Sequence, residues 1–323
     1  MKILVILPNW LGDAIMATPA IELLAQHYSD VKFTFVGSYV SIEALKHHPL
    51  CEKAIVDETK KASSRLLATY KLAQELGEFD LAITFRNQLY SSLLLRFTQT
   101  VICIAKASWH SKLLLSHTPK IKNNQHLVKQ YSELAMVNCD NFNGESKELK
   151  LYIDAEKFTK PTLGINAGAT YGSAKRWYPQ RFAQVGAEFS KEYEILIFGG
   201  PNEVEMAKDI EENLIELGVS NYRNIAGKTS IEELCSHIAG CSLFVTNDSG
   251  PMHVAAAYQV PTVAIFGPTR YKETSQWMNK KSVIIRKEME CSPCMKRECP
   301  LGHHECMTKI HAQEVIEALK TLL

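Results

Sequence analysis

Three segments carry residues whose types and spacing suit chemistry on a phosphorylated substrate. Asn247-Asp248-Ser249-Gly250-Pro251-Met252-His253 follows an apolar run and precedes small residues, as where a strand turns into a helix. Amides freed at a helix start, with a glycine to expose them and the positive end of the helix dipole behind them, form a site for phosphate. A capped turn with a packed His253 explains the same residues equally well. Asn166-Ala167-Gly168-Ala169-Thr170 leads to Lys175-Arg176-Trp177, where small residues, the Thr170 hydroxyl and a basic pair again suit an anion. Lys175 is either the cation that neutralises a leaving diphosphate or an ordinary surface lysine. Leu11-Gly12-Asp13 follows the first apolar run. Gly12 would let the backbone pass close to a ligand, and Asp13 is either a helix N-cap or a carboxylate that deprotonates a hydroxyl.

Two further groups bear on the chemistry. In Gly199-Gly200-Pro201-Asn202-Glu203 the Glu203 carboxylate could accept ribose hydroxyls, or serve as a favourable acid in the first turn of the next helix. Cys291, Cys294, Cys299 and Cys306, with His303 and His304 in the last interval, are ligand types suited to zinc. Their spacing is irregular for a structural zinc site, and a loop of reduced thiols is the alternative. Neither the dinucleotide fingerprint G-x-G-x-x-G nor an Asp-x-Asp pair occurs. The first absence argues against a nicotinamide-binding first domain, and the second removes the usual carboxylate anchor for a catalytic metal.

The elements that must position these residues read as β-branched apolar runs alternating with amphipathic stretches, the pattern of βαβ units and a parallel sheet. Strands are predicted near Lys2–Leu7, Lys32–Gly37, Lys53–Asp57, Asp80–Phe85 and Thr100–Ile104, with helices near Ala14–Tyr28, Ser41–Lys46, Ser64–Leu76 and His126–Asn138. The pattern weakens between Asn138 and Lys160, which marks a domain junction. A second series follows, with strands near Thr162–Asn166, Glu194–Phe198, Leu243–Thr246, Thr262–Phe266 and Ser282–Arg286. Its helices are predicted near Pro179–Lys191, Glu203–Leu217, Ile231–Ile238 and Gly250–Tyr258, with a closing helix over His311–Leu323 for which packing back on the first domain is one option. Two doubly wound domains bind ligands at the C-terminal ends of their strands, so the expected site is a cleft between them.

A chain of 323 residues has room for two such domains. Lys plus Arg total 36 against 35 for Asp plus Glu, which leaves no overall field to recruit a nucleic acid. The apolar start Ile3–Leu7 ends at Pro8, too short for a signal peptide, and no run approaches the roughly twenty apolar residues of a membrane span. A cytoplasmic protein is therefore expected. Cys51, Cys103, Cys139 and Cys235 are scattered among apolar segments as reduced thiols are.

Asn9-Trp10-Leu11-Gly12-Asp13, Lys175-Arg176-Trp177, Asp248 through His253, and the tail Cys291-Ser292-Pro293-Cys294 to His303-His304-Glu305-Cys306-Met307 together resemble the heptosyltransferases of glycosyltransferase family nine. The similarity runs over essentially the whole chain. It implies an α/β protein of GT-B type, two Rossmann-like domains facing a central cleft, with residues 1–155 binding the acceptor and 156–323 the nucleotide sugar. It further implies transfer of L-glycero-D-manno-heptose, with inversion, from ADP-heptose to the heptosyl-Kdo2-lipid A inner core of lipopolysaccharide. Asp13 then becomes the catalytic base and Lys175 the cation on the diphosphate. Gly12, Thr170, Glu203, Asp248, Ser249, Gly250 and His253 become donor-site residues. ADP-heptose is a substrate, and no cofactor or metal is expected. The basic residues Arg86, Lys106, Lys112, Lys120, Lys122 and Lys129 are surface charges or face the acceptor, and Trp109 and Leu113–Leu115 offer peripheral contact with its lipid or the inner membrane. A family member with another acceptor, or a nucleotide-sugar epimerase of the same fold, are the competing readings.

Overall fold

A computed structural model describes residues 1–139 and 141–323. The chain divides into two compact units, Met1–Tyr152 and Ile153–Leu323. The first runs β1 (Lys2–Ile6), α1 (Leu11–Met16), α2 (Thr18–His27), β2 (Lys32–Gly37), α3 (Tyr39–Leu45), β3 (Cys51–Val56), α4 (Arg65–Leu76), β4 (Leu81–Thr84), α5 (Leu89–Phe97), β5 (Ile102–Ala105), α6 (Trp109–Leu114) and α7 (Leu127–Ala135). Its five strands are parallel in the order β3-β2-β1-β4-β5. Four of the five residues of β1 and all of β4 are buried. Strands covered on both faces read as continuous apolar runs, which is why both are visible in the sequence.

Helix ends follow local chemistry. The Ser64 side chain accepts from the Leu67 amide to start α4, and Gly77, at φ 74°, stops it. The single helix expected over Ala14–Tyr28 is two. Pro19 has no N–H for the Ile15 carbonyl, and the Thr18 hydroxyl takes that carbonyl instead at 2.7 Å, so the chain restarts as α2.

The second unit runs β6 (Thr162–Asn166), α8 (Pro179–Phe189), β7 (Glu194–Phe198), α9 (Val204–Glu216), β8 (Tyr222–Asn224), α10 (Ile231–Gly240), β9 (Leu243–Asn247), α11 (Gly250–Ala257), β10 (Thr262–Phe266), α12 (Tyr271–Thr274), β11 (Ser282–Arg286), α13 (Glu305–Thr308) and α14 (Ala312–Lys320). Its six strands are parallel in the order β11-β10-β9-β6-β7-β8. The core packs Trp177 and Phe182 against β6, β7 and β9 residues such as Ile165, Ile197 and Val245. The closing helix α14 buries Val315, Ile316 and Leu319 in this same core, so its apolar face is taken up within its own unit.

In each unit the chain starts at a central strand, steps outward to one edge, then returns to the other side of the first strand. The reversal falls between β1 and β4 in the first unit and between β6 and β9 in the second. Loops leaving neighbouring strands in opposite directions open a crevice there, and doubly wound folds bind ligands in it.

Arg86, expected at the surface or toward the acceptor, is instead buried. Its Nη1 lies 2.9 Å from Asp57 Oδ2, and its Nε donates to the Leu7 carbonyl. One guanidinium thus ties together the chain after β1, β3 and β4. Burial alone would raise the Asp57 pKa, but bonds from the Thr59 hydroxyl and amide and the charge of Arg86 hold it below the usual carboxylate value. Arg86→Leu is expected to cost about 3–5 kcal/mol, because it leaves a buried carboxylate without its cation. Urea unfolding of both proteins at neutral pH checks this. A depressed pKa contributes stability above the unfolded value and loses it as pH falls through the folded one, so the gap should narrow below about pH 4.

Candidate active site

In the first unit the loop after β1 is held by its carbonyls. The Leu7 carbonyl accepts from Arg86, that of Pro8 from the Ser41 hydroxyl and that of Asn9 from the Ser38 hydroxyl. The loop therefore delivers α1 in a fixed orientation. Trp10 is the N-cap residue of α1, and Asp13 is its third residue, half-buried in the first turn. This corrects the reading of Asp13 as a possible N-cap. Its carboxylate acts within the positive end of the helix instead. Gly12 likewise lies inside α1, buried, not in an open loop. The Tyr131 phenol is pushed well up, first by burial and then by the Asp13 carboxylate, so a protonated phenol stands within electrostatic reach of Asp13. No local pattern in the sequence pointed to Tyr131.

In the second unit two asparagines at the ends of adjacent strands cross-tie the loops. Asn166 Nδ2 faces the Gly168 carbonyl at 3.3 Å, Thr246 Oγ1 at 3.2 Å and Ser249 Oγ at 3.1 Å. Asn247 donates to the Ala167 carbonyl at 2.6 Å and accepts from the Trp177 amide at 3.1 Å. Between them they fix the Ala167–Thr170 loop, the Lys175 turn and the start of α11.

Lys175 ends a short 3-10 turn, Ser173–Lys175. Its ammonium lies 2.6 Å from Asp248 Oδ2 and 3.1 Å from the Asp248 carbonyl. The Thr269 hydroxyl, after β10, donates to the same Asp248 oxygen at 2.6 Å. Lys175 is thus no loose surface lysine. An ammonium has three donors, and Asp248 orients two of them. Asp248 is buried and committed to Lys175 and Thr269, so it shapes the site through these partners.

Ser249 is the N-cap of α11, yet its side chain makes no cap bond, because the hydroxyl is turned toward Asn166 and Thr246. The capped turn weighed in the sequence is therefore not formed by Ser249. Pro251 has no N–H, the Met252 amide donates to the Ser249 carbonyl, and the Ser249 and Gly250 amides precede the first intrahelical bond. His253 is buried one turn into α11. Together α11, Lys175 and the Ala167–Thr170 loop gather cationic and N–H character at the β6/β9 crevice.

Glu203 closes a 3-10 turn ahead of α9 and accepts from the Gly200 amide at 2.8 Å. A Cβ on Gly168 would lie 2.0 Å from its carboxylate, so the Glu203 side chain lies directly over the loop after β6. Thr170 is exposed on that loop. The structure thus brings Thr170, Lys175, Glu203, Asp248, Ser249 and Gly250 to the strand ends of one unit, whereas Gly12 and Asp13 belong to the other. Asn166 and Asn247 stood in the segments singled out in the sequence but with no role of their own, which only their positions at strand ends could have suggested, and Thr269, three residues past β10, was missed. Among the described residues no group of three or more His, Cys, Asp or Glu side chains is placed to hold a metal ion. Cys291, Cys294, Cys299 and Cys306 line one small cavity of about 20 Å³.

The family model described as glycosyltransferase family 9 (heptosyltransferase) matches residues 69–305. Lipooligosaccharide heptosyltransferase 2 of Campylobacter jejuni subsp. jejuni serotype O:2 is 39% identical, over the whole of this chain and 98% of its own. The structure of E. coli ADP-heptose lps heptosyltransferase II aligns with a TM-score of 0.85 at 25% identity, covering 100% of this chain and 98% of that one. E. coli heptosyltransferase WaaC with ADP, at 17% identity and a TM-score of 0.82 over both full chains, shares the fold. Two successive Rossmann-like units, full-length similarity and the matched family model lead to one conclusion: the chain belongs to glycosyltransferase family 9, the GT-B heptosyltransferases.

Proposed function

We propose that this protein transfers L-glycero-D-manno-heptose from ADP-heptose to the heptosyl-Kdo2-lipid A inner core of lipopolysaccharide, with inversion at the anomeric carbon. The observation that carries the donor side is Lys175, oriented by Asp248 beside the start of α11, whose cap hydroxyl is turned inward. The names of its heptosyltransferase 2 relatives support heptose and a lipopolysaccharide or lipooligosaccharide acceptor, and that of the E. coli enzyme supports an ADP-linked donor.

Asp13 takes the proton from the acceptor hydroxyl as its oxygen attacks the anomeric carbon. The bond from that carbon to the diphosphate oxygen breaks, and ADP leaves with the electron pair. Lys175 and the Ser249 and Gly250 amides stabilise the charge growing on the diphosphate. The Thr170 hydroxyl adds a donor, and Glu203 accepts from the ribose. His253 and Asp248 hold the shape of the loop, and Gly12 lets the backbone of α1 pass close to the ligand.

Among the described residues no helix is long and apolar enough to cross a membrane. On α6 the residues Trp109 and Leu113 are 74% and 80% exposed, with Lys112 between them in sequence also exposed. This pairing suits peripheral contact with the lipid part of the acceptor at the cytoplasmic face of the inner membrane.

Asp13→Asn should lower turnover at least a hundredfold, roughly the scale of general base catalysis, while ADP affinity stays within about twofold. The lost charge at the helix start should cost only about 0.3–1 kcal/mol in stability. Steady-state kinetics, calorimetric titration and thermal melting of the one variant read all three. A variant that turns over normally would move the base elsewhere.

Transfer should also persist in EDTA, because Lys175 and the α11 amides supply the positive charge and the chain has no Asp-x-Asp. Rates with chelator, then with added magnesium or manganese, test this; activity lost in EDTA and restored by either metal is the contrary result.

A further inference from the structure

The Cys291–Cys306 segment has no part in the chemistry above, yet it braces the Lys175 turn along its length. The Tyr171 hydroxyl donates to the Met295 carbonyl at 2.8 Å, and the Ala174 amide donates to the Arg297 carbonyl at 3.0 Å. A Cβ on Gly172 would sit 2.2 Å from that same Arg297 oxygen, so the two backbones touch. On its other side the segment reaches the end of β10. Ser292 Oγ donates to the Gly267 carbonyl at 2.7 Å, and the Met295 amide donates to that of Pro268 at 2.9 Å. The next residue, Thr269, holds Asp248. Both ends of the Lys175–Asp248 pair therefore rest on this one segment.

His304 bonds to the peptide that leads into Lys175. Its Nε2 lies 2.9 Å from the carbonyl of Ala174, the residue before Lys175. A carbonyl only accepts, so Nε2 carries a proton, and in the neutral ring Nδ1 then accepts from the Tyr178 hydroxyl at 3.0 Å. The ring is thus clamped between two fixed partners and used at both nitrogens. To place it there the backbone adopts φ 51°, a left-handed conformation uncommon outside glycine that this chain also holds at Gln99 and Gln259, and the Cys299 Sγ accepts the His304 amide at 3.4 Å.

We infer that His304 is a positioning residue for the diphosphate site. By holding the Ala174 carbonyl it fixes the Ala174–Lys175 peptide, and so the direction in which the ammonium leaves the turn. This inference rests on the reading of Lys175 as the cation that meets the diphosphate.

The test is a double-mutant cycle read by calorimetric titration of ADP, with kcat, donor KM, acceptor KM and the melting temperature measured on each protein. His304→Gly removes the ring without straining the left-handed backbone. His304→Asn serves the same purpose if the glycine variant does not fold, since Asn tolerates this conformation but is too short to reach Ala174. His304→Gln keeps a donor of similar reach. Removal of the ring should weaken ADP binding roughly tenfold and raise donor KM to match, with acceptor KM unchanged. Gln should recover most of the loss. In a Lys175→Ala background, itself weakened at least as much, removing the ring should add less than about twofold, because residues acting through one another are not additive. The inference is overturned if ADP binds normally without the ring, or if the loss adds in full to that of Lys175→Ala. If Lys175→Ala alone leaves ADP binding and turnover unchanged, the reading of Lys175 fails first, and this inference with it.

Discussion

A lysine ammonium held against a buried carboxylate is the constraint on which the second unit's site depends. With 13% of the Lys175 side chain and 4% of the Asp248 side chain exposed, little water remains to solvate either charge. Removing one partner would strand the other at a cost of about 3–5 kcal/mol. The pair is consequently a fixed feature of the fold. In the reaction proposed above, such a pair offers the diphosphate a cation already held in place, so little reorganisation would be needed as charge develops. Asp248 supplies both its side chain and its carbonyl to Lys175, and Thr269 holds the carboxylate from the next strand.

The sheet order puts the pair in that place. Because β6 and β9 are parallel neighbours, the residues just past their C-terminal ends start side by side before the chain diverges. Asn166 and Asn247 convert this proximity into fixed geometry, since each amide bonds across to the other loop. The first unit uses the same topology with a different lock. There Arg86 reaches from the end of β4 to Leu7 and Asp57, and serine hydroxyls hold the next two carbonyls before α1.

Much of this was legible in the sequence, for identifiable reasons. Central strands such as β1, β9 and β10 are buried on both faces and so appear as unbroken apolar runs. The start of α11 announced itself through Ser249-Gly250-Pro251, because glycine and proline punctuate the backbone whatever surrounds them. Residues whose role is defined by a distant partner were not legible. Nothing near Thr269 indicates that it will hold Asp248, and nothing near Tyr131 indicates Asp13. Arg86 looked like any other basic residue until Asp57, 29 positions away, was found opposite it. Asp13 shifted from possible cap to first-turn acid because the helix begins three residues earlier than the apolar pattern suggests, at Leu11 and not Ala14. Helix starts depend on which carbonyls are already satisfied, and here those partners lie just past β4 and at the start of α3.

The central claim, that this fold moves a heptose onto an inner-core acceptor, is tested most directly by mass spectrometry of heptosyl-Kdo2-lipid A after incubation with the purified protein and ADP-heptose. The predicted result is an acceptor heavier by one heptose, with ADP released in equal amount and no donor consumed when acceptor is omitted. Donor converted or hydrolysed while the acceptor mass stays unchanged would contradict it.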